Sequence, residues 1–530
     1  MSEDSVEYHR YCPGEDTIRI SDAVCLGRRR SNFHKCPGCQ FNDDEHDNAP
    51  FEAGVVASRG GASAALSEDE ERMIRKVFKA YDVRGIVPDP LNEDIAWRIG
   101  NATAQFLRTS LAGYDRSDPN VNRLVVGRDM RTHSPALQRA FIEGAIATGT
   151  AVVDIGMIDT PQLVFAANHM PCCGGAQTTA SHNPAEYNGF KICGLKGKPI
   201  GSDSGLEEIQ RIASALSRHR VDVSDNLSGA DLSEAYRDYI RAFLKPGRPL
   251  KVVVDASNGM AGRWFPIVFS DAPSLEVLPL NFEHNGEFVH PPNPLVPAHL
   301  TQLRDAVREH DADFGACFDG DADRCMFVDE SAKIVPCDLM TALLASEYLR
   351  DHPGSTVVYD LRSSRIVRET IEACGGVAKR QRVGHVFMKR AMAEQGAVFG
   401  GELSGHFYFR DFWGCDSGML AFVALVNMLG SGERPLSERV RPLRKYAASG
   451  ERNFQNDDKE GAFEALKQRY HDARIDDLDG VTIEYPEWWC NVRASNTEPL
   501  LRLNLEADSA EVLGAKLAEI TPSLGAPVEH

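Results

Sequence analysis

Three stretches of the chain share one pattern, a run of aliphatic and β-branched residues that stops abruptly at polar and glycine-containing positions: LVVGRDMR from Leu124, KVVVDASNG from Lys251 and STVVYDLRSS from Ser355. Apolar runs without alternation predict strands buried on both faces, the condition of a parallel sheet covered by helices. Amphipathic stretches with helical spacing, such as SPALQRAFIEGAIATG and DLMTALLASEYLRD, interleave with them. Strand and helix in alternation predict related α/β domains. Near the C-terminus the pattern changes. VTIEY, WCNVRAS and LLRLNLEA are short strands ahead of the helical run AEVLGAKLAEI, which predicts a smaller antiparallel α+β domain.

The most apolar stretch, Met419 to Leu429, is too short to span a bilayer and predicts a buried core helix. The start, MSEDSVEYHRYC, has no basic segment followed by an apolar run, so neither a secretory leader nor a membrane partner is expected and a cytoplasmic location is. Residues 1–41 hold Cys12, Cys25, Cys36 and Cys39, the last two in a CPGC knuckle, with His9 and His34 nearby. These thiols are candidate Zn2+ ligands, set against the plainer reading of an unligated tail. Residues 42–74, acidic and rich in Gly, Ala and Ser at the start, read as a flexible linker.

With 530 residues the chain exceeds what one hydrophobic core supports. Its net charge of -19 repels polyanions and argues against a nucleic-acid partner. An anionic small substrate then requires a cleft where Arg and Lys reverse the local field. Thirteen cysteines, an odd number, most of them scattered through apolar runs as at Cys317 and Cys325, read as buried thiols in a reducing compartment. No oligomeric state follows from the pattern.

Four segments carry chemistry. DGDADR, residues 319–324, sits between the apolar runs FGACF and CMFV. Alternation aims Asp319, Asp321 and Asp323 toward one point, a hard-oxygen set suited to Mg2+. An EF-hand reading with Glu330 in the last position fails on Arg324, where that loop needs glycine; an acidic solvent-facing turn stays open. TTASHNPAEYNGFKI, residues 178–192, puts Ser181 among turn-forming residues. Its hydroxyl, once phosphorylated, would give a metal site and nearby cations a dianion to hold, whereas alone it reads as a turn or cap. Lys191 follows as a phosphate contact or proton donor, or as an exposed strand lysine. GGELSGHFYF, residues 400–409, alternates Glu402, Ser404 and His406, a row suited to sugar hydroxyls or, more plainly, to water at a strand edge. RASNTEPLLRL, residues 493–503, offers Arg493, Ser495, Asn496, Thr497 and Arg502 as a phosphate cradle, with a β-turn as the alternative.

These segments in this order, with KAYDVRGI at residues 79–86, make the chain resemble the α-D-phosphohexomutase superfamily, phosphomannomutase/phosphoglucomutase type, over residues 75–530. The resemblance implies three related mixed α/β/α domains followed by a smaller α+β C-terminal domain, arranged around a central cleft. The segments would be residues 75–224 with a phosphoserine loop, 225–333 with a metal-binding loop, 334–445 with a sugar-recognition loop and 446–530 with a phosphate-binding loop. It further implies interconversion of hexose 1-phosphates and hexose 6-phosphates through a phosphoserine and a hexose 1,6-bisphosphate, the latter also serving as activator.

On this resemblance Ser181 is the phosphoserine, and Asp319, Asp321 and Asp323 hold Mg2+ together with a phosphate oxygen on Ser181. Arg84, Lys191 and Arg324 stabilise the transferring group, and His385 in RVGHVFMK is a proton carrier or ligand contact. Substrate binding falls to Arg324, Arg362, Glu402, Ser404, His406, Arg493, Ser495, Asn496, Thr497 and Arg502. Arg362 stands where several bacterial relatives carry lysine, and its guanidinium suits binding rather than proton release. Leu403 stands where glucosamine phosphate mutases tend to have Gln and dual mannose and glucose enzymes Met, which favours mannose or glucose phosphates. Two rivals remain at this level: a non-catalytic sugar-phosphate sensor on the same fold, and a hydrolase that releases phosphate from the serine.

Overall fold

The computed structural model describes residues 9–12, 15–21, 68–109, 118, 121–223, 225–495 and 500–528. The apolar runs form the centres of three sheets built on one plan. In the second domain the strand order is Leu275–Leu280, Leu250–Asp255, Phe314–Phe318, Cys325–Asp329, Ile334–Val335; the first three strands run parallel and the last two return antiparallel. The third domain repeats this as Val377–Gln381, Thr356–Asp360, Phe399–Gly401, Phe407–Phe409, Cys415–Asp416. The first sheet follows the same plan through Ala151–Met157, Arg123–Arg128, Gly174–Thr178 and Tyr187–Gly194, and closes with Val83–Ile86. It also takes Leu227–Gly229 as its opposite edge strand, a little beyond residue 224. The final sheet is different. Six strands between Ala447 and Val528 pair antiparallel throughout and carry the helices Lys459–Arg469 and Ala510–Ile520.

The repeated plan matters because each hairpin of antiparallel strands ends in a loop at the edge of the cleft. In the second domain that loop is Asp319–Arg324, between Phe314–Phe318 and Cys325–Asp329. Strands rather than helices flank it, and Glu330 is turned away onto the backbone N–H and the hydroxyl of Ser437, so the calcium-loop alternative has no support.

Helix Gly418–Gly430 bears out the buried-helix expectation for Met419 to Leu429 and shows why that stretch is apolar all round. Phe422 packs with ring centroids 4.9 Å from Phe265 and 5.7 Å from Phe314, both of the second domain, within one core that also takes in Val125 and Leu163 of the first. At its N-terminal end a Cβ on Gly418 would lie 2.8 Å from the carbonyl oxygens of Ala322 and Arg324. Glycine there lets the helix press directly against the acidic loop.

Two expectations change. The last part of the segment read as a flexible linker is helical, Glu68–Val77, with Ile74 and Val77 fully buried on one face; burial against the first domain outweighs the composition of the residues before it. At the N-terminus His9–Cys12 pairs antiparallel with Glu15–Ser21, a hairpin the cysteine spacing did not announce. Cys25, Cys36 and Cys39 lie outside the described residues, as does the side chain of Cys12 and residues 42–67 of the linker. The nine cysteines whose side chains are described are free thiols, all buried except Cys374. Among the described residues no helix is long and apolar enough to cross a membrane.

Candidate active site

The Ser181 loop follows strand Gly174–Thr178 and reverses the chain into strand Tyr187–Gly194. Ser181 has φ 51°, a left-handed conformation that costs a residue with a Cβ about 1–2 kcal/mol and persists only under constraint. Arg131 supplies the constraint. Its fully buried guanidinium donates to the carbonyl oxygens of Ser181 (2.9 Å), Asn183 (2.6 Å), Pro184 (2.6 Å) and Tyr187 (3.0 Å), while Asp129 holds its Nε at 3.2 Å. One arginine thereby satisfies most of the loop's backbone acceptors. Both residues lie in the GRDMR end of the first apolar run, read from the sequence only as a strand end.

The loop meets the acidic segment of the second domain. Ser181 Oγ donates to Asp319 Oδ2 at 3.1 Å. A Cβ at Gly320 would lie 2.3 Å from the Ser181 carbonyl oxygen, so the two loops approach as closely as glycine permits. Gly320→Ala is expected to cost about 1–3 kcal/mol through this overlap and to displace Ser181, read as a lowered Tm together with a lowered turnover; a variant with both unchanged would contradict the close approach.

Asp319, Asp321 and Asp323 are all buried, with carboxylate oxygens within 4.8 Å of one another. Burial and the charges of Asp323 and Asp321 push Asp319 well above the usual carboxylate range. Burial would raise Asp321 too, but the Lys191 ammonium, with hydrogen bonds from Lys191 and Thr160, holds it well below that range. Lys191 Nζ lies 2.6 Å from Asp321 and 2.5 Å from Asp323. Burial opposes its charge, yet Asp321, Asp323 and Asp319 outweigh that and keep it an ammonium. Asp321 Oδ1 and Asp323 Oδ1 are buried without a hydrogen-bond partner among the described residues. Orphaned carboxylate oxygens in a crowded hard-oxygen set fit a divalent cation.

Cations ring this centre. Arg84 Nη1 donates to Asn183 at 2.6 Å and Nη2 to Asp82. Arg324 Nε donates to His406 Nε2 at 3.0 Å and lies 3.7 Å from Asp319. Because His406 Nε2 accepts, its proton sits on Nδ1, which faces Asp416 at 2.8 Å; Lys389 flanks the same carboxylate at 2.8 Å. Asp323, His406 and Asp416 are also close enough to share an ion, but a protonated Nδ1 cannot ligate one. Asp416 was not signalled by any motif, and Lys389 closes the RVGHVFMK stretch in which only His385 stood out. His385 stacks on His406, centroids 6.2 Å apart; burial, then the charge of Lys389, hold it neutral with its pKa well below the ordinary histidine value.

Ser181, Lys191, Arg84, Arg324, His385 and His406 line one cavity of about 890 Å³ contributed by the first three domains. Glu402 is buried beside it, accepting from Gly384 N at 3.0 Å and the Tyr408 hydroxyl at 2.5 Å, while Ser404 is half-buried. Arg362 lies apart from that lining. It is paired with Asp360 at 2.8 Å and approaches the last domain, where Arg493 and Arg502 gather around Glu451. Ser495 N donates to Leu500 O at 2.8 Å; Asn496 and Thr497 lie outside the described residues.

Three α/β/α domains on one plan, an antiparallel fourth domain, and a buried serine facing three aspartates define a class of four-domain proteins built around one acidic site. Family models described as phosphoglucomutase/phosphomannomutase, alpha/beta/alpha domains I, II and III, match residues 75–220, 234–332 and 337–446, and the C-terminal domain model matches 451–522. The chain belongs to the phosphoglucomutase/phosphomannomutase family. It is 38% identical over 458 residues to a phosphomannomutase of Escherichia coli, covering 84% of this chain and 98% of the relative. It is 37% identical over 456 residues to a protein of Xanthomonas campestris pv. campestris named for phosphohexose mutases, covering 85% and 99%. A solved phosphoglucomutase/phosphomannomutase family protein from Burkholderia thailandensis superposes with TM-score 0.76 at 31% identity, covering 85% of this chain and 97% of the other.

Proposed function

We propose that this protein is a phosphohexomutase that interconverts hexose 1-phosphate and hexose 6-phosphate, of mannose, glucose or both, through phosphorylated Ser181 and a hexose 1,6-bisphosphate that also serves as activator. The observation that carries the reading is the 3.1 Å contact between Ser181 Oγ and the buried aspartate trio. In this reading Asp319, Asp321 and Asp323 would hold Mg2+ beside phosphorylated Ser181, and the ion would supply neutralisation of charge on the transferring group. Domain limits of 75–224, 225–333, 334–445 and 446–530 are part of the same proposal, with the edge strand Leu227–Gly229 carrying the first boundary a few residues past 224.

The chain's own groups divide the remaining work. Arg84 and Lys191, whose charges are sustained by neighbouring carboxylates, together with Arg324 cancel charge developing on the equatorial oxygens as the Ser181 Oγ–P bond breaks and the sugar hydroxyl forms its own bond to phosphorus. Neutral His385 is a candidate to take the hydroxyl proton, and the departing Ser181 Oγ takes up a proton in turn, so that serine is left as the neutral hydroxyl. The opposite phosphate rests on the cradle of Arg362, Arg493, Ser495, Asn496, Thr497 and Arg502. After reorientation of the bisphosphate, its other phosphate meets the bare serine. Glu402, Ser404 and His406 face the sugar, with His406 also holding Arg324 in place. Zn2+ at Cys12, Cys25, Cys36 and Cys39 is a separate proposal, tested by elemental analysis of the purified chain.

Purified protein supplied with Mg2+, a catalytic amount of glucose 1,6-bisphosphate, and mannose 1-phosphate or glucose 1-phosphate is expected to form the 6-phosphate while releasing little inorganic phosphate. Binding without turnover would support a sensor, and stoichiometric phosphate release a hydrolase.

A further inference from the structure

The cradle of the last domain contains an anion of its own. Glu451 lies on strand Ala447–Gln455, opposite Asn504 in register. Its carboxylate is 2.8 Å from Arg493 Nη2, 3.1 Å from Arg502 Nη1 and 3.7 Å from Arg362 Nη1, with Asn504 Nδ2 at 3.4 Å. Arg362 comes from the end of strand Thr356–Asp360 in the third domain, so one carboxylate gathers guanidiniums from two domains. Its side chain retains 22% exposure, so it is not sealed from solvent.

The electrostatics of the cluster are those of a site prepared for an anion. Burial pushes Glu451 up, but Arg493, Arg362 and Arg502 together bring it down to about 2, so it is charged throughout the neutral range. Burial and the like charge of Arg362 lower Arg493, the mark of guanidiniums crowded against one another. A carboxylate and a phosphate demand the same N–H donors from such a cluster.

We propose that Glu451 is a built-in competitor for the phosphate cradle, engaging Arg362, Arg493 and Arg502 in place of a sugar phosphate and thereby setting how tightly that phosphate is held and how readily it leaves. The inference rests on the reading of this cradle as a phosphate site. It deepens that reading by giving the site a means of release. A mutase whose bisphosphate must leave the cradle and return in the opposite orientation gains from a carboxylate that retakes the guanidiniums as the phosphate departs. Without it, the surplus positive charge would hold the ligand and slow each turnover.

The test is isothermal titration of the full-length protein with inorganic phosphate in EDTA, beside steady-state kinetics. Glu451→Gln keeps the shape and removes the charge, and its phosphate Kd is expected to fall at least about fivefold, with KM and kcat falling together. Glu451→Ala reads the same direction should the glutamine variant fail to fold. Glu451→Asp, which keeps the anion, should stay nearer wild type. An unchanged or weaker Kd in a variant of wild-type Tm would overturn the proposal, because Glu451 would then only orient the arginines. Arg493→Ala supplies the separate control. If phosphate binding survives it undiminished, the cradle assignment itself fails and the competition with it, whereas a lost signal there with no change at Glu451 removes the competitor alone.

Discussion

Ser181→Ala should lose about a thousandfold or more of mutase turnover while its affinity for hexose phosphate changes little. The magnitude follows from removing a nucleophile that the remaining groups cannot replace. Binding should survive because the loop is held by its backbone. Arg131 grips the carbonyl oxygens of Ser181, Asn183, Pro184 and Tyr187, none of which the substitution touches. The hydroxyl itself contributes one hydrogen bond to Asp319, worth about 0.5–1.5 kcal/mol net, so Tm should move only slightly. Coupled-assay rates and calorimetric Kd values for the same preparation decide the matter: a rate near wild type would remove Ser181 from the chemistry.

The second large effect concerns the aspartate trio. Chelation should abolish turnover and Mg2+ should restore it. A readout independent of activity comes from stability, because an ion that binds only the folded chain raises its stability by about 2.7 kcal/mol at a hundredfold excess over Kd. The trio predicts such a rise, since the cation would relieve the crowding that pushes Asp319 far above its usual range. Asp321→Asn should lower turnover at least about a hundredfold and remove most of the Mg2+-dependent Tm shift. Retention of the full shift in that variant would place the ion elsewhere, in which case Lys191, now 2.6 Å from Asp321, would be the permanent counter-ion of the trio.

The strands at Leu124, Lys251 and Thr356, the apolar helix at Gly418–Gly430 and the change to antiparallel strands after Ala447 are visible in the one-dimensional pattern. Periodicity and run length report burial directly when a whole element is buried. The aspartate loop was legible for a similar reason: carboxylates at alternate positions between two apolar strands leave few local structures to choose from. The helix Glu68–Val77 escaped because an acidic surface face masks the two or three positions that pack.

Residue order alone therefore determined the fold plan, the serine turn and the acidic loop, since each depends on neighbours within a few positions. Tertiary structure decided which isolated polar residues matter. Arg131 reaches a loop some fifty residues away, His406 holds Arg324 across 82 positions, and Glu451 draws together Arg362, Arg493 and Arg502 from two domains. In sequence Arg131 and Glu451 are lone charged residues, indistinguishable from the many that face water, and the motif that marks His406 gives no sign of its hold on Arg324. Only packing removes the water and leaves them one another as partners, and that exchange is set by distances no local pattern contains.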